Sequence, residues 1–371
     1  MGDKLGIYIH IPFCRSKCDY CDFYSLSGRE GRMDHYQKAL LAHLRETAPL
    51  TQGIPVDSVY FGGGTPSFYG AKRLKELLAT LHKLFQIEKD AEITVECNPD
   101  SVDLRALCTL RKAGVNRLSL GMQSAQAEEL AAIHRIHTPQ QTDQAAGLAR
   151  KAKFNNLSLD LIYGLPGQTM DSWKATVEHA LSLIPQHLSC YGLKVEEGTP
   201  LARRVAEGEV LPDDDQQADL YLWTVGRLAR AGYPQYEISN FAKPGFESRH
   251  NLRYWFTRPY MASAPGPTPI SAAGATPSSG IWTPTSTESF TGAMSSTALS
   301  LSPSGSGAAS TSCSACAPPR ASTAWSTAGT ISWTSPRWRP VWSSSPPRDG
   351  WSAARRAAGT SLPRASWCPT S

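Results

Sequence analysis

No run of about eighteen or more apolar residues occurs anywhere in the 371-residue sequence, which excludes a bilayer-length helix. The opening stretch MGDKLGIYIHIPF has no basic region feeding a long apolar run, so no secretory signal is expected. Gly6 stands where a myristoylation signal needs Ser or Thr, so an acyl anchor is not expected either. A regular disulfide framework is missing as well. The nine cysteines are an odd number, and three of them crowd between Cys14 and Cys21. That crowding suits metal ligation in a reducing cytoplasm better than cross-linking. Residues 1–260 have no excess of charge, with 30 Lys and Arg against 30 Asp and Glu. A basic surface for nucleic acid is therefore not expected.

From residue 261 onward Lys and His are absent, Asp and Glu occur once each, and seven Arg supply the whole net charge of +5. Ser, Thr, Ala, Pro and Gly make up 82 of these 111 residues, yet seven of the ten Trp also fall here. A low-complexity composition points to disorder, but disordered tails are poor in Trp. A GC-rich gene read out of register yields this mixture, because it favours Ala, Ser, Pro, Arg and Gly codons and TGG. Residues 261–371 are thus expected to be a disordered or frameshifted tail. Cys313 and Cys316 form an isolated C-x-x-C there, which lacks the partner pair a metal site needs.

Before the break, strand-like and helix-like segments alternate. Strands are expected over 6–12, 56–62, 92–97, 117–123, 157–163 and 187–194. Helices are expected over 34–48, 71–85, 102–113, 125–133, 140–153, 170–184 and 213–231. Such alternation implies right-handed crossovers and a parallel sheet. Six repeats are too few for a closed eight-strand barrel, and pattern alone leaves a doubly wound sheet or an open six-strand barrel. In both, ligands gather at the carboxyl ends of the strands, where this sequence places Cys14-x3-Cys18-x2-Cys21, GGGTP, ECNP, GMQ and DLIYGLPG.

Three cysteines at this spacing suit three corners of a cubane iron–sulfur cluster, leaving one iron for a small molecule. The competing reading is zinc, with His10 or Asp22 as fourth ligand.

The segment YIHIPFCRSKCDYCDF, followed in order by GGGTP, ECNP, GMQ, IHRIHT, DLIYGLPGQT and HNLRYW, resembles the radical S-adenosylmethionine (SAM) family. Within it, the chain is most similar to the oxygen-independent coproporphyrinogen III oxidases and the HemW-type heme chaperones, over about residues 5–260. The resemblance implies a partial (β/α)6 TIM-like barrel over 1–235, an accessory region starting at 236–260, and the tail. It implies a [4Fe–4S] cluster on Cys14, Cys18 and Cys21, with the SAM amine and carboxylate on the open iron. Tyr8 and Tyr20 would lie against that site. Gly63, Gly64 and Thr65 would meet the amino-acid end of SAM, and Glu96, Gln123, Arg135 and Asp160 would hydrogen-bond it. Five of these also have a plain alternative: a turn for Gly63 and Gly64, a cap for Glu96 and Asp160, a surface cation for Arg135. Lys194 is a weaker candidate.

Two features favour the chaperone branch. The oxidases carry another cysteine where Phe23 stands, and they have an extension ahead of the first strand. HNLRYW is characteristic of the chaperones, which bind heme and hand it to respiratory heme proteins. His250 is then a candidate heme ligand, or else a hydrogen-bonded core imidazole. Tyr254 and Trp255 would pack a porphyrin face or fill core. The enzymatic alternative is radical decarboxylation of coproporphyrinogen III.

Overall fold

The computed structural model describes residues 4–263. Its strands are β1 (Leu5–Ile11), β2 (Phe13–Cys14), β3 (Leu26–Ser27), β4 (Pro55–Gly63), β5 (Gln86–Cys97), β6 (Arg117–Gln123), β7 (Leu157–Tyr163), β8 (His187–Gly192), β9 (Gln235–Glu237), β10 (Asn240–Ala242) and β11 (Tyr260–Ser263). The helices are α1 (Met33–Thr47), α2 (Pro66–Tyr69), α3 (Ala71–Leu84), α4 (Leu104–Ala113), α5 (Ala127–Ala132), α6 (Pro139–Lys151), α7 (Met170–Ser182), α8 (Pro200–Ala206), α9 (Asp214–Arg230) and α10 (Arg249–Trp255).

Nine strands form one sheet in the order β11-β1-β4-β5-β6-β7-β8-β10-β9. The six long strands run parallel in chain order, as expected of a (β/α)6 partial barrel. The edges differ from expectation. At one end β10 pairs antiparallel with β8 and β9. At the other, β11 runs parallel to β1, with Gly6 opposite Tyr260 and Ile9 opposite Ser263. The segment read as an accessory region therefore belongs to the same sheet. The break placed at 261 also moves, because Met261 and Ser263 are buried in strand β11. Beyond residue 263 the tail, its Trp residues and Cys313 and Cys316 lie outside the described residues.

Each long strand has two unlike faces. Leu5, Ile7, Ile9 and Ile11 of β1, Ile93 and Val95 of β5, Leu118, Leu120 and Met122 of β6, and Leu157, Leu159 and Leu161 of β7 join the main apolar core. They pack under the helices, whose buried stripes keep helical spacing, as in Leu74, Leu77, Leu78 and Leu81 of α3. The alternate residues are polar: Tyr8 and His10, Ser58 and Tyr60, Glu92, Thr94 and Glu96, Arg117 and Ser119, Ser158 and Asp160, His187 and Ser189. A parallel sheet covered on both sides usually reads as continuous apolar runs. Here the second face lines a polar interior, so the period of two survives.

Local chemistry sets the helix starts. Thr138 with Gln141, Thr169 with Ser172, and Asp213 with Gln216 form reciprocal capping boxes at α6, α7 and α9. Asp103 caps α4, which ends on Gly114 in the left-handed region (φ 110°). No helix among the described residues is long and apolar enough to cross a membrane.

Candidate functional site: a cavity inside the strands

The polar face surrounds a cavity of about 490 Å³. The sulfur-bearing loop after β1, the glycine turn after β4, and side chains of β5 to β8 form its walls. Cys14, Cys18, Cys21, Tyr20, Gly63, Gly64, Thr65, Glu96, Gln123, Arg135 and Asp160 all line it. Lys194 reaches its mouth, where Nζ pairs with Glu196 at 2.6 Å.

The glycine turn carries the cysteine loop. The Gly64 N–H donates to the Ile11 carbonyl and the Thr65 N–H to the Phe13 carbonyl, both at 2.8 Å. A methyl on Gly64 would sit 2.9 Å from three backbone atoms of Ile11 and Phe13, and one on Gly63 would strike the His10 ring at 2.4 Å. These glycines are demanded by close packing as much as by any ligand. Farther along, Asp19 is tied down on all sides. Its carboxylate takes His134 Nδ1 at 2.6 Å and Arg204 Nη1 at 2.7 Å, and its carbonyl accepts the Leu201 N–H at the start of α8.

A hydrogen-bond bridge links two thiols. The Thr65 hydroxyl donates to Cys14 Sγ at 3.5 Å, and Asn98 Nδ2 donates to Thr65 Oγ1 at 3.3 Å. Asn98 Oδ1 accepts from Arg135 Nη2 at 2.8 Å, and Arg135 Nη1 donates to Cys18 Sγ at 3.3 Å. Donors aimed at sulfur stabilise thiolates and orient them as ligands. Asn98 sat inside the ECNP motif, but its role went unread because an amide has no signature of its own.

The zinc reading asks for a tighter group than the cluster does. Zinc–sulfur bonds of about 2.3 Å bring three sulfurs to within about 4 Å of each other. Among the described residues no group of three or more His, Cys, Asp or Glu is placed to hold a single metal ion. All three thiols line one cavity.

The carboxylates are unusual. Burial pushes Glu96 up to about 7, although Tyr60 donates to Oε1 at 2.8 Å and the Gly63 N–H donates to Oε2 at 3.1 Å. Asp160 is raised too, burial outweighing hydroxyl donors from Ser189, Ser119 and Ser158. No cation is hydrogen-bonded to either, so both suit a cationic or hydroxyl-rich guest. Gln123 lies on a bulge between β6 and β7, with φ 63°. A non-glycine residue held there is the kind of strain that concentrates at functional sites.

Two expected residues lie elsewhere. Tyr8 is one layer behind the wall, donating towards His10 Nδ1 (3.1 Å apart) and stacked on Tyr60. His250 is fully buried on α10, with Nδ1 3.0 Å from the Ser58 hydroxyl and Nε2 2.9 Å from the Tyr254 hydroxyl. Burial, with Arg253 and Arg117 nearby, lowers it to about 3. Both nitrogens are engaged and the ring is not part of the cavity wall, so the structure gives the expected heme ligand the setting of a core imidazole. Tyr254 packs edge-on against it, while Trp255 is exposed. The whole HNLRYW helix closes the strands' amino ends: the Glu92 carboxylate accepts the N–H groups of Arg249 and His250, each at 3.1 Å, a favourable place for a negative charge.

This arrangement has relatives. Residues 8–180 match the Radical SAM superfamily. Over 269 residues the chain is 42% identical to the heme chaperone HemW of Mycobacterium tuberculosis, covering 71% of this chain and 69% of that protein. The chain belongs to the HemW family. Escherichia coli HemW is 41% identical over 253 residues, which cover 68% of this chain and 66% of that protein. Among solved structures, the radical SAM enzyme coproporphyrinogen III oxidase (HemN) of Escherichia coli superimposes with a TM-score of 0.62 at 30% identity. That match covers 69% of this chain and 58% of the oxidase, so this chain spans less than two thirds of the oxidase. Radical SAM membership implies a [4Fe–4S] cluster and SAM for this HemW relative, and three cavity-facing thiols with donors on two of them fit such a cluster.

Proposed function

We propose that the chain is a heme chaperone that holds a SAM-liganded [4Fe–4S] cluster on Cys14, Cys18 and Cys21 and passes heme to respiratory heme proteins in the cytoplasm. The observation that carries this reading is the thiol wall: three sulfurs on one cavity, two of them joined by the Thr65–Asn98–Arg135 bridge. The names of the relatives support the heme part, and Phe23 in place of a further cysteine supports the chaperone branch. All six cysteines among the described residues are free, in keeping with a reducing compartment. When bound, the cluster supplies an open iron for the amino-acid end of SAM. Glu96 and Asp160 then offer acceptors, Gln123 an amide, and Tyr20 an apolar ring beside the sulfurs.

The likeness to the oxidase supports a second reading, oxidative decarboxylation of coproporphyrinogen III. One anaerobic experiment separates the two. Protein reconstituted with iron and sulfide is given SAM, a reductant and coproporphyrinogen III, and in parallel is titrated with heme. Stoichiometric heme uptake without vinyl-bearing product supports the chaperone. Turnover to protoporphyrinogen would overturn it, and zinc uptake in place of iron and sulfide would overturn both.

A further inference from the structure

The cavity has a second polar end, remote from the sulfurs. On β6 the residues Arg117, Ser119, Gly121 and Gln123 share the inner face and all line the cavity. Six residues separate Arg117 from Gln123, about 20 Å at strand rise. Arg117 thus belongs to the floor, where Asn251 of α10 also lines the cavity.

Arg117 is bonded unlike the other arginine at this depth. Arg253 is 2% exposed, and its guanidinium finds Ser58, the carbonyls of Lys4 and Pro259, and Asp57. Arg117 is 1% exposed, yet its Nε and Nη1 have no partner among the described residues. Its register partner on β5 is Thr94, itself fully buried with Oγ1 unpartnered. Leaving one buried donor unmet costs about 1–3 kcal/mol, and more when it is charged. Arg117 lines the cavity, and its two unmet nitrogens are the donor set of a ligand site; Thr94 stands beside it in register, behind the wall. Glu92 is close enough to act on Arg117, but its oxygens are taken by the start of α10. Asp160 and Glu96 also lie within electrostatic reach of Arg117. Asp160 is occupied by serine hydroxyls, and Glu96 by Tyr60 and the Gly63 N–H. None of these three carboxylates hydrogen-bonds to Nε or Nη1 of Arg117, so the floor has charge nearby but no oxygen docked on the fork.

We propose that the cavity floor is a carboxylate-binding site with Arg117 as its cation, which on the heme-carrying reading above takes a propionate arm of the porphyrin. A planar guanidinium with Nε and a terminal nitrogen free is suited to two-point recognition of a carboxylate. SAM also carries a carboxylate, so the test includes it.

The full chain is titrated anaerobically with heme and with heme dimethyl ester, followed by absorbance, and with sodium propionate and SAM, followed by thermal shift. Wild type is expected to bind the free acid about tenfold to a hundredfold more tightly than the ester, the reach of charged hydrogen bonds. Arg117→Met should erase that preference while leaving ester affinity unchanged. Arg117→Lys, which keeps the charge but not the two-point fork, should narrow it and carries the test if Arg117→Met does not fold. Equal binding of acid and ester by wild type would overturn the site while leaving the heme reading standing. A preference that survives both substitutions would also overturn it. If neither heme form binds but propionate stabilises wild type and not Arg117→Met, the carboxylate site stands and the heme reading falls. If instead SAM binding weakens at least tenfold in Arg117→Met with no acid preference for heme, the porphyrin assignment is overturned in favour of the SAM carboxylate.

Discussion

Glu96 offers a direct measure of how far this cavity departs from water. Its carboxyl is raised from 4.5 to about 7, first by burial. A carboxyl that holds its proton more tightly when folded stabilises the fold at low pH. The contribution is full below the unfolded value and fades as pH rises through the folded one. At about 1.4 kcal/mol per unit, the loss between pH 5 and pH 8 comes to about 2.5 kcal/mol. The buried imidazoles act in the opposite sense. His250, lowered to about 3, and His137, lowered to about 4 by burial and Arg135, withdraw stability as pH falls below about 6.5. The whole-protein curve is therefore mixed, and the measurement must be a difference. Glu96→Gln cannot titrate, and its amide NH₂ faces either the Tyr60 hydroxyl or the Gly63 N–H, both donors. That loss is the same at every pH. In urea unfolding, wild type should exceed Glu96→Gln by most at pH 5, with the gap closing by about 2.5 kcal/mol towards pH 8. A gap that stays constant within about 0.5 kcal/mol would refute the reasoning.

Other substitutions test the site from different sides. Asn98→Ala cuts the bridge between Thr65 and Arg135 and should shorten cluster retention against a chelator about 10- to 100-fold; retention equal to wild type would remove Asn98 from the ligand support. His250→Ala strips the partners of Ser58 and Tyr254 and should cost about 2–5 kcal/mol in chemical denaturation while the absorption spectrum of added heme keeps its shape. An unchanged stability with a lost heme spectrum would restore His250 as the iron ligand. For the tail, the DNA behind codons 255–265 should show a one-base insertion or deletion. Read one base to the left, TCN serine codons become NTC (Phe, Leu, Ile or Val) and TGG becomes NTG (Leu, Met or Val), so the TCN-encoded serines and the seven tryptophans there would regain core-forming residues. A clean trace with no open shifted frame would dismiss the idea.

The outer half of this fold was legible because apolar residues repeat where strands and helices bury them: the bounds expected for 117–123 and 157–163 are those observed for β6 and β7. The inner half was harder. Ser58, Thr94, Ser119, Ser158 and Ser189 each take an inward position on one of five strands, but a small hydroxyl does not announce whether it faces solvent or a cavity. Arg117 was legible only as the first residue of a strand, and only the closing of the sheet around it shows its depth. The short elements α8, α10, β9 and β10 were missed because three to seven residues are too few for a period to emerge. His250 was drawn towards iron by residue type and by the resemblance of HNLRYW to the chaperones. Its partners, Ser58 and Glu92, are more than 150 residues away in the chain, a distance at which sequence carries no contact information.

The Asp19 anchor dictates a schedule. Arg204 lies 185 residues downstream of the aspartate it grips, and ribosomes add about 5–20 residues per second. The loop bearing the three thiols is therefore synthesised roughly 10–40 seconds before α8 can fasten it. During that interval the nascent sulfurs are unsupported, so iron delivery to the growing polypeptide should fail until α8 has left the exit tunnel. Stalled chains ending before residue 200 should come off the ribosome without metal.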